Sequence, residues 1–197
     1  MIKRKIVYSV IFCLIMLGIV GWFWTEGFGF IDSNVTGDSI EEAIFEYTSN
    51  TSHLDMQAGI LETVEIDKGT FLVFTQNENL DAIHSSVVRK KWNGKWKVAT
   101  MSGNAPIEQH PGETNPYYWT RIGTDEAAGY WGVIYDSNVE TIVLKNNKEE
   151  RADVLDLPDY PPIWYKVKPH PSENFKNIDM KAIDSKGEEV PWSPIDY

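Results

Sequence analysis

Arg89, Lys90, Lys91, Lys95 and Lys97 alternate with Trp92 and Trp96 in the run RKKWNGKWK of a chain that is otherwise acidic. Ammonium and guanidinium groups attract anions, and indole rings add broad amphipathic surface, so this cluster suits an anionic wall polymer or lipid headgroups. The same composition also arises in an edge hairpin whose lysines discourage strand-to-strand association while its tryptophans pack inward. Asn93-Gly94 marks the turn. A two-residue loop there pairs Trp92 with Lys95, and a slip of one residue changes every pairing along the hairpin.

A second aromatic group, Tyr117, Tyr118 and Trp119 with Tyr130 and Trp131, has the make-up of a stacking platform for sugar rings and equally that of a core where two regions meet. Asp153, Asp156 and Asp159 recur every third residue. Clustered carboxylates ligate calcium, but no EF-hand-like loop accompanies these, and solvated acids at strand ends are the simpler reading. His53, His84, His110 and His170 are scattered without the spacing that sets two on one helix face, so no metal site is expected. His84-Ser85-Ser86 falls inside a strand pattern and not on the strand-to-helix elbow of a serine nucleophile. No phosphate-binding loop or dinucleotide fingerprint is present, so neither a catalytic residue nor a cofactor is expected. A carboxylate pair brought together by the fold is the remaining route to acid–base chemistry.

Lys3, Arg4 and Lys5 precede nineteen residues, Ile6 to Trp24, that carry no charge. At about 1.5 Å of rise per residue such a helix reaches about 28 Å, close to the roughly 30 Å hydrocarbon core of a bilayer. The cations place the N-terminus in the cytoplasm and everything after Thr25 outside, with Trp22, Phe23 and Trp24 at the outer interface. A cleaved signal peptide is the competing reading, but the apolar run is long for one and no small-residue cleavage site follows it. Cys13, the single cysteine, reads as an apolar residue facing lipid. Removing the three N-terminal cations from the eighteen Lys and Arg leaves fifteen against twenty-nine Asp and Glu, a net charge of −14. That balance argues against nucleic acid and against anionic lipid as a general partner. A cysteine-free body outside the cell must be held by core burial alone, which suits a bacterial envelope.

The elements that position these residues follow from periodicity. Asp38-Ser-Ile-Glu opens a short helix in a capping-box-like start, and Ile40, Ala43, Ile44 and Tyr47 form its apolar stripe. Runs at 60–66, 70–76, 82–91 and 95–100, separated by turn residues, read as a four-stranded antiparallel meander. In the second of these, Phe71 and Val73 lie on one face and Leu72 and Phe74 on the other, so it is buried on both sides with the helix above. Residues 102–126 are rich in Gly, Pro, Asn and Thr and read as a linker. Candidate strands at 130–135, 139–145, 151–157, 163–168 and 177–184 then predict an all-β, immunoglobulin-like sandwich without paired cysteines. The expected class is α+β: a basic tip and transmembrane anchor over 1–25, a small helix-plus-meander domain over 37–101, the linker, and the sandwich over 127–197.

This order of parts, with GYWGVIYDSNVETIVL, PPIWYKV and IDMKAIDSKGEEV in the last region, resembles uncharacterised single-pass extracytoplasmic proteins of Bacillus-like Firmicutes. The resemblance implies a location at the plasma membrane and no activity. The expected function is a non-catalytic binding or sensing module of the bacterial cell envelope, held in the plasma membrane through 6–24, with an envelope protein or an anionic wall polymer as partner. The alternative is a cell-envelope hydrolase or transferase with a carboxylate acid/base pair in a cleft between the two domains. A third role, contact of the membrane helix with another membrane protein, has only Gly18-Ile-Val-Gly21 behind it.

Overall fold

The computed structural model describes residues 35–51, 57–110, 113–145, 148–170 and 178–191. The basic tip, the charge-free run with Cys13, and His53 lie outside them. Among the described residues no helix is long and apolar enough to cross a membrane.

The described chain is mostly antiparallel β-sheet with one short helix. Helix α1 spans Ile40–Ser49. Its N-cap is Ser39, one residue later than expected, because the Ser39 hydroxyl accepts the Glu42 N–H at 3.1 Å while the Glu42 carboxylate reaches back to the Asp38 N–H. Strands β1 (Gln57–Asp67), β2 (Thr70–Asn77), β3 (Ala82–Lys90) and β4 (Trp96–Pro106) form the expected meander in the order β1-β2-β3-β4. Alternation divides its side chains between two cores. Val73, Val88 and Val98 pack under Ala43 and Ile44 of α1, while Leu72, Phe74, Ile83 and Val87 point the other way.

A second sheet is ordered β5-β6-β10-β9, from β5 (Thr120–Gly123), β6 (Ala127–Val133), β10 (Ile163–Pro169) and β9 (Asp153–Leu155). A third is ordered β12-β11-β7-β8, from β12 (Glu189–Val190), β11 (Asp179–Asp184), β7 (Val139–Lys145) and β8 (Glu149–Arg151). These two pack as a sandwich over Tyr130, Ile142, Leu144, Trp164 and Ala182. The run expected as one strand at 151–157 instead changes sheet at Ala152, whose N–H bonds the Ile142 carbonyl at 2.8 Å and whose carbonyl accepts the Thr141 hydroxyl at 3.1 Å. Close approach is required at Gly132, where a Cβ would run into the Tyr118 carbonyl. That carbonyl also accepts the Trp164 indole N–H at 3.0 Å.

The expected boundary at 102–126 is corrected by the packing. The described residues from Val35 onward form one compact unit. The segment read as a linker holds the end of β4 and the whole of β5, with Ala105 and Ile122 fully buried. The meander lays its Leu72–Phe74 face on the free face of the second sheet, so Trp131, Val133 and Ile163 share a core with Leu72, Phe74 and Ile83. Apolar surface on both pieces is removed from water only when they are joined, which is why a composition rich in turn residues did not mark a domain boundary.

Candidate functional site

Three backbone features build the end of the β3–β4 hairpin. The Lys91 N–H bonds the Lys95 carbonyl at 2.7 Å, the Gly94 N–H bonds the Lys91 carbonyl at 3.0 Å, and Gly94 takes φ of +84°. The loop is therefore Trp92-Asn93-Gly94, a three-residue connection with glycine at the left-handed position. The Asn93 side-chain carbonyl accepts the Lys95 N–H at 3.1 Å and stiffens it. The pairing of Trp92 with Lys95 is thereby corrected. Lys91 faces Lys95 across the loop, Lys90 pairs with Trp96 and Arg89 with Lys97.

This register sorts the basic aromatic group. Trp96 turns inward toward α1 and meets Phe71 edge to face at 5.4 Å. The Lys90 ammonium lies 5.4 Å from the centre of the Trp96 ring, a cation–π contact. Arg89 pairs with Glu126 at 2.8 Å and Lys95 with Asp38 at 3.0 Å. Lys97, only 6 % exposed, belongs to the interior and is withdrawn from any ligand. Trp92, by contrast, is 89 % exposed at the apex of the loop. Of the seven residues singled out, Trp92, Lys90 and Lys95 are exposed, Arg89, Lys91 and Trp96 are partly so, and Lys97 is buried.

The second aromatic group does not assemble into a platform. Trp131 is fully buried, its ring 5.5 Å from Phe74 and its indole N–H 3.4 Å from the Ser102 hydroxyl. Tyr117 and Tyr130 are also buried. The Tyr117 hydroxyl donates to the Met180 carbonyl at 3.2 Å, and its pKa is pushed up to about 12 by burial first and by Asp179 and Glu189 second. Burial raises Tyr130 too, partly offset by Arg121. Tyr118 is half-buried, and Trp119 is 43 % exposed with its ring 5.6 Å from Tyr130, edge to face. Rings must present a face to stack on a sugar, and three of these five are enclosed by other side chains.

Sequence reasoning missed an open hollow of about 550 Å³ at the far end of the meander, lined by Leu80, Asp81, Asn104, Ile107, Glu108 and His110 among others. Asn77 builds the turn beside it. Its side-chain oxygen accepts the N–H groups of Asp81 and Ala82, both at 3.1 Å, and its amide donates to the Asp81 carboxylate at 2.7 Å. The Asn-Glu-Asn turn was the available signal, but Glu108 and His110 are brought to it by strand β4 from about thirty residues away. Among the described residues no group of three or more His, Cys, Asp or Glu is placed to hold a metal ion. Asp153 lies 3.9 Å from Lys166, and Asp156 and Asp159 are exposed at the surface.

Comparison of the chain with protein-family models, with curated proteins and with solved structures finds no match.

Proposed function

We propose that this chain is a membrane-anchored, extracytoplasmic binding module of a bacterial cell envelope, without catalysis of its own, that meets its partner through the β3–β4 hairpin. The single observation that carries this reading is Trp92, a large apolar ring 89 % exposed on a hydrogen-bonded loop whose two strands bring Lys90, Lys91 and Lys95 to the same end of the hairpin. A folded protein gains nothing in its own stability from a tryptophan in water, whereas aromatic and cationic groups on a rigid loop suit recognition. The charge-free run 6–24 supports the anchor, and the cations before it support an outward-facing body. Two antiparallel sheets packed face to face support an immunoglobulin-like frame.

The test is crosslinking in cells from a photoreactive residue at position 92 of the tagged full-length chain, combined with protease treatment of intact cells. A crosslinked product lost in the Lys90→Glu/Lys91→Glu/Lys95→Glu variant, and a body digested from outside, are the expected results. A body protected from protease overturns the topology, and crosslinking indifferent to the three lysines overturns the hairpin. Lys97 is left unchanged because its burial would confound the loss of charge with a loss of fold.

One observation favours the second class. Asp81, Glu108 and His110 line one hollow, and two carboxylates beside an imidazole are the parts of an acid–base hydrolase or transferase. Wall-hydrolysing activity of the purified chain that is lost on Glu108→Gln with the fold intact would shift the reading to that class.

A further inference from the structure

We infer that the hairpin partner is the anionic phospholipid surface of the chain's own membrane, with Trp92 seated among the headgroups and Lys90, Lys91 and Lys95 against lipid phosphates. This rests on the anchor reading above and adds the identity of the partner to it.

The first argument is where the chain enters the folded body. Gly37 is bonded through its backbone to Trp96, at the base of the hairpin whose apex is Trp92. Only the ten residues 25–34 separate the charge-free run from Val35, and ten residues reach at most about 36 Å when fully extended. A short tether holds the hairpin at high effective concentration beside the bilayer surface, so even weak contacts become occupied.

The second argument is charge. A body of net charge −14 is repelled by anionic headgroups everywhere except where cations cluster. Among the described residues no carboxylate pairs with Lys90 or Lys91, while Lys95 shares the carboxylate of Asp38 at 3.0 Å, an exposed pair that phosphate can exchange. With screening over about 8 Å at physiological salt, attraction is confined to the tip and repulsion turns the acidic remainder away. A soluble anionic polymer would meet the repulsion without the tether.

The third argument is the shape of the tip. Indole is amphipathic and favours the membrane interface, with lysine ammonium groups extending to the headgroups beside it. The loop is closed by two backbone hydrogen bonds, so Trp92 is already presented and little ordering is required on contact.

The experiment uses the full-length Cys13→Ser chain with Asn93→Cys carrying a nitroxide label. It is reconstituted into vesicles of phosphatidylcholine alone or mixed with phosphatidylglycerol. A second label at Lys186→Cys, on the exposed β11–β12 turn, is the control. With phosphatidylglycerol present, the label at position 93 is expected to gain collisions with oxygen and lose collisions with a water-soluble nickel chelate, while position 186 stays in water. Trp92→Ala, and separately Lys90→Glu with Lys95→Glu, should each reduce the effect by about fivefold or more. A chain that floats with the vesicles while position 93 remains as wet as position 186 overturns the inference and leaves the anchor standing. Protection of position 93 only on adding an anionic wall polymer to those vesicles also overturns it. A chain that fails to float overturns the anchor and the inference with it.

Discussion

Gly37 and Trp96 exchange two backbone hydrogen bonds, Gly37 N–H to the Trp96 carbonyl at 3.0 Å and Trp96 N–H to the Gly37 carbonyl at 2.9 Å. They bind the start of the folded body to the edge of the meander, and α1 follows at once, capped by Ser39. Because α1 covers Val73, Val88 and Val98, its cap is coupled to burial of the meander's outer face. Ser39→Ala is therefore expected to cost about 1 kcal/mol in urea unfolding. An unchanged midpoint would show that the cap is not holding the helix.

Trp131 and Trp92 differ as far as two tryptophans of one protein can, fully buried against 89 % exposed. Trp131→Ala empties the core shared by the meander and the second sheet and is expected to cost about 3–5 kcal/mol. Trp92→Ala should change stability by no more than about 0.5 kcal/mol. Paired thermal melts of the two variants check this, and comparable losses in both would mean that the hairpin tip is packed.

Alkaline pH should unfold the protein through its phenols. Tyr117 has its folded-state pKa raised from 10.0 to about 12, so folding favours the neutral phenol. That stabilisation is fully present below the unfolded value and is lost as pH rises through the folded one, a window of about pH 10 to 12. Burial also raises Tyr118, Tyr130, Tyr135 and Tyr165, each in the same direction. Guanidinium unfolding at about pH 8 and about pH 11 should show a fall of about 1 kcal/mol from Tyr117 alone. In Tyr117→Phe the fall should be smaller, and an equal fall would remove Tyr117 from the account.

Because Leu72, Phe74 and Ile83 share a core with Trp131, Val133 and Ile163, unfolding of the body should be a single cooperative transition. Calorimetry checks it. The expected result is a calorimetric enthalpy equal to the van't Hoff value, with Leu72→Ala lowering the midpoint of the whole transition. Two separable transitions, only one of them moved by Leu72→Ala, would restore the division into two domains.

What residue order determined by itself is local. The i, i+3, i+4, i+7 stripe of Ile40, Ala43, Ile44 and Tyr47 marked α1, and the alternation Phe71, Leu72, Val73, Phe74 told that β2 is covered on both faces. Strand β7 falls on the residues expected, 139–145, because alternation and flanking turn residues are properties of neighbours in the chain. What only tertiary structure decided depends on distant partners. Whether Trp92 or Trp96 faces water turned on a single residue of loop length, since the φ of Gly94 sets the register of both strands. Whether Tyr117, Tyr130 and Trp131 form a surface or a core turned on sheets contributed by residues 139–184 and 70–88, which no spacing within 117–131 can reveal. Burial is a relation between surfaces, and its two halves lie far apart in this chain.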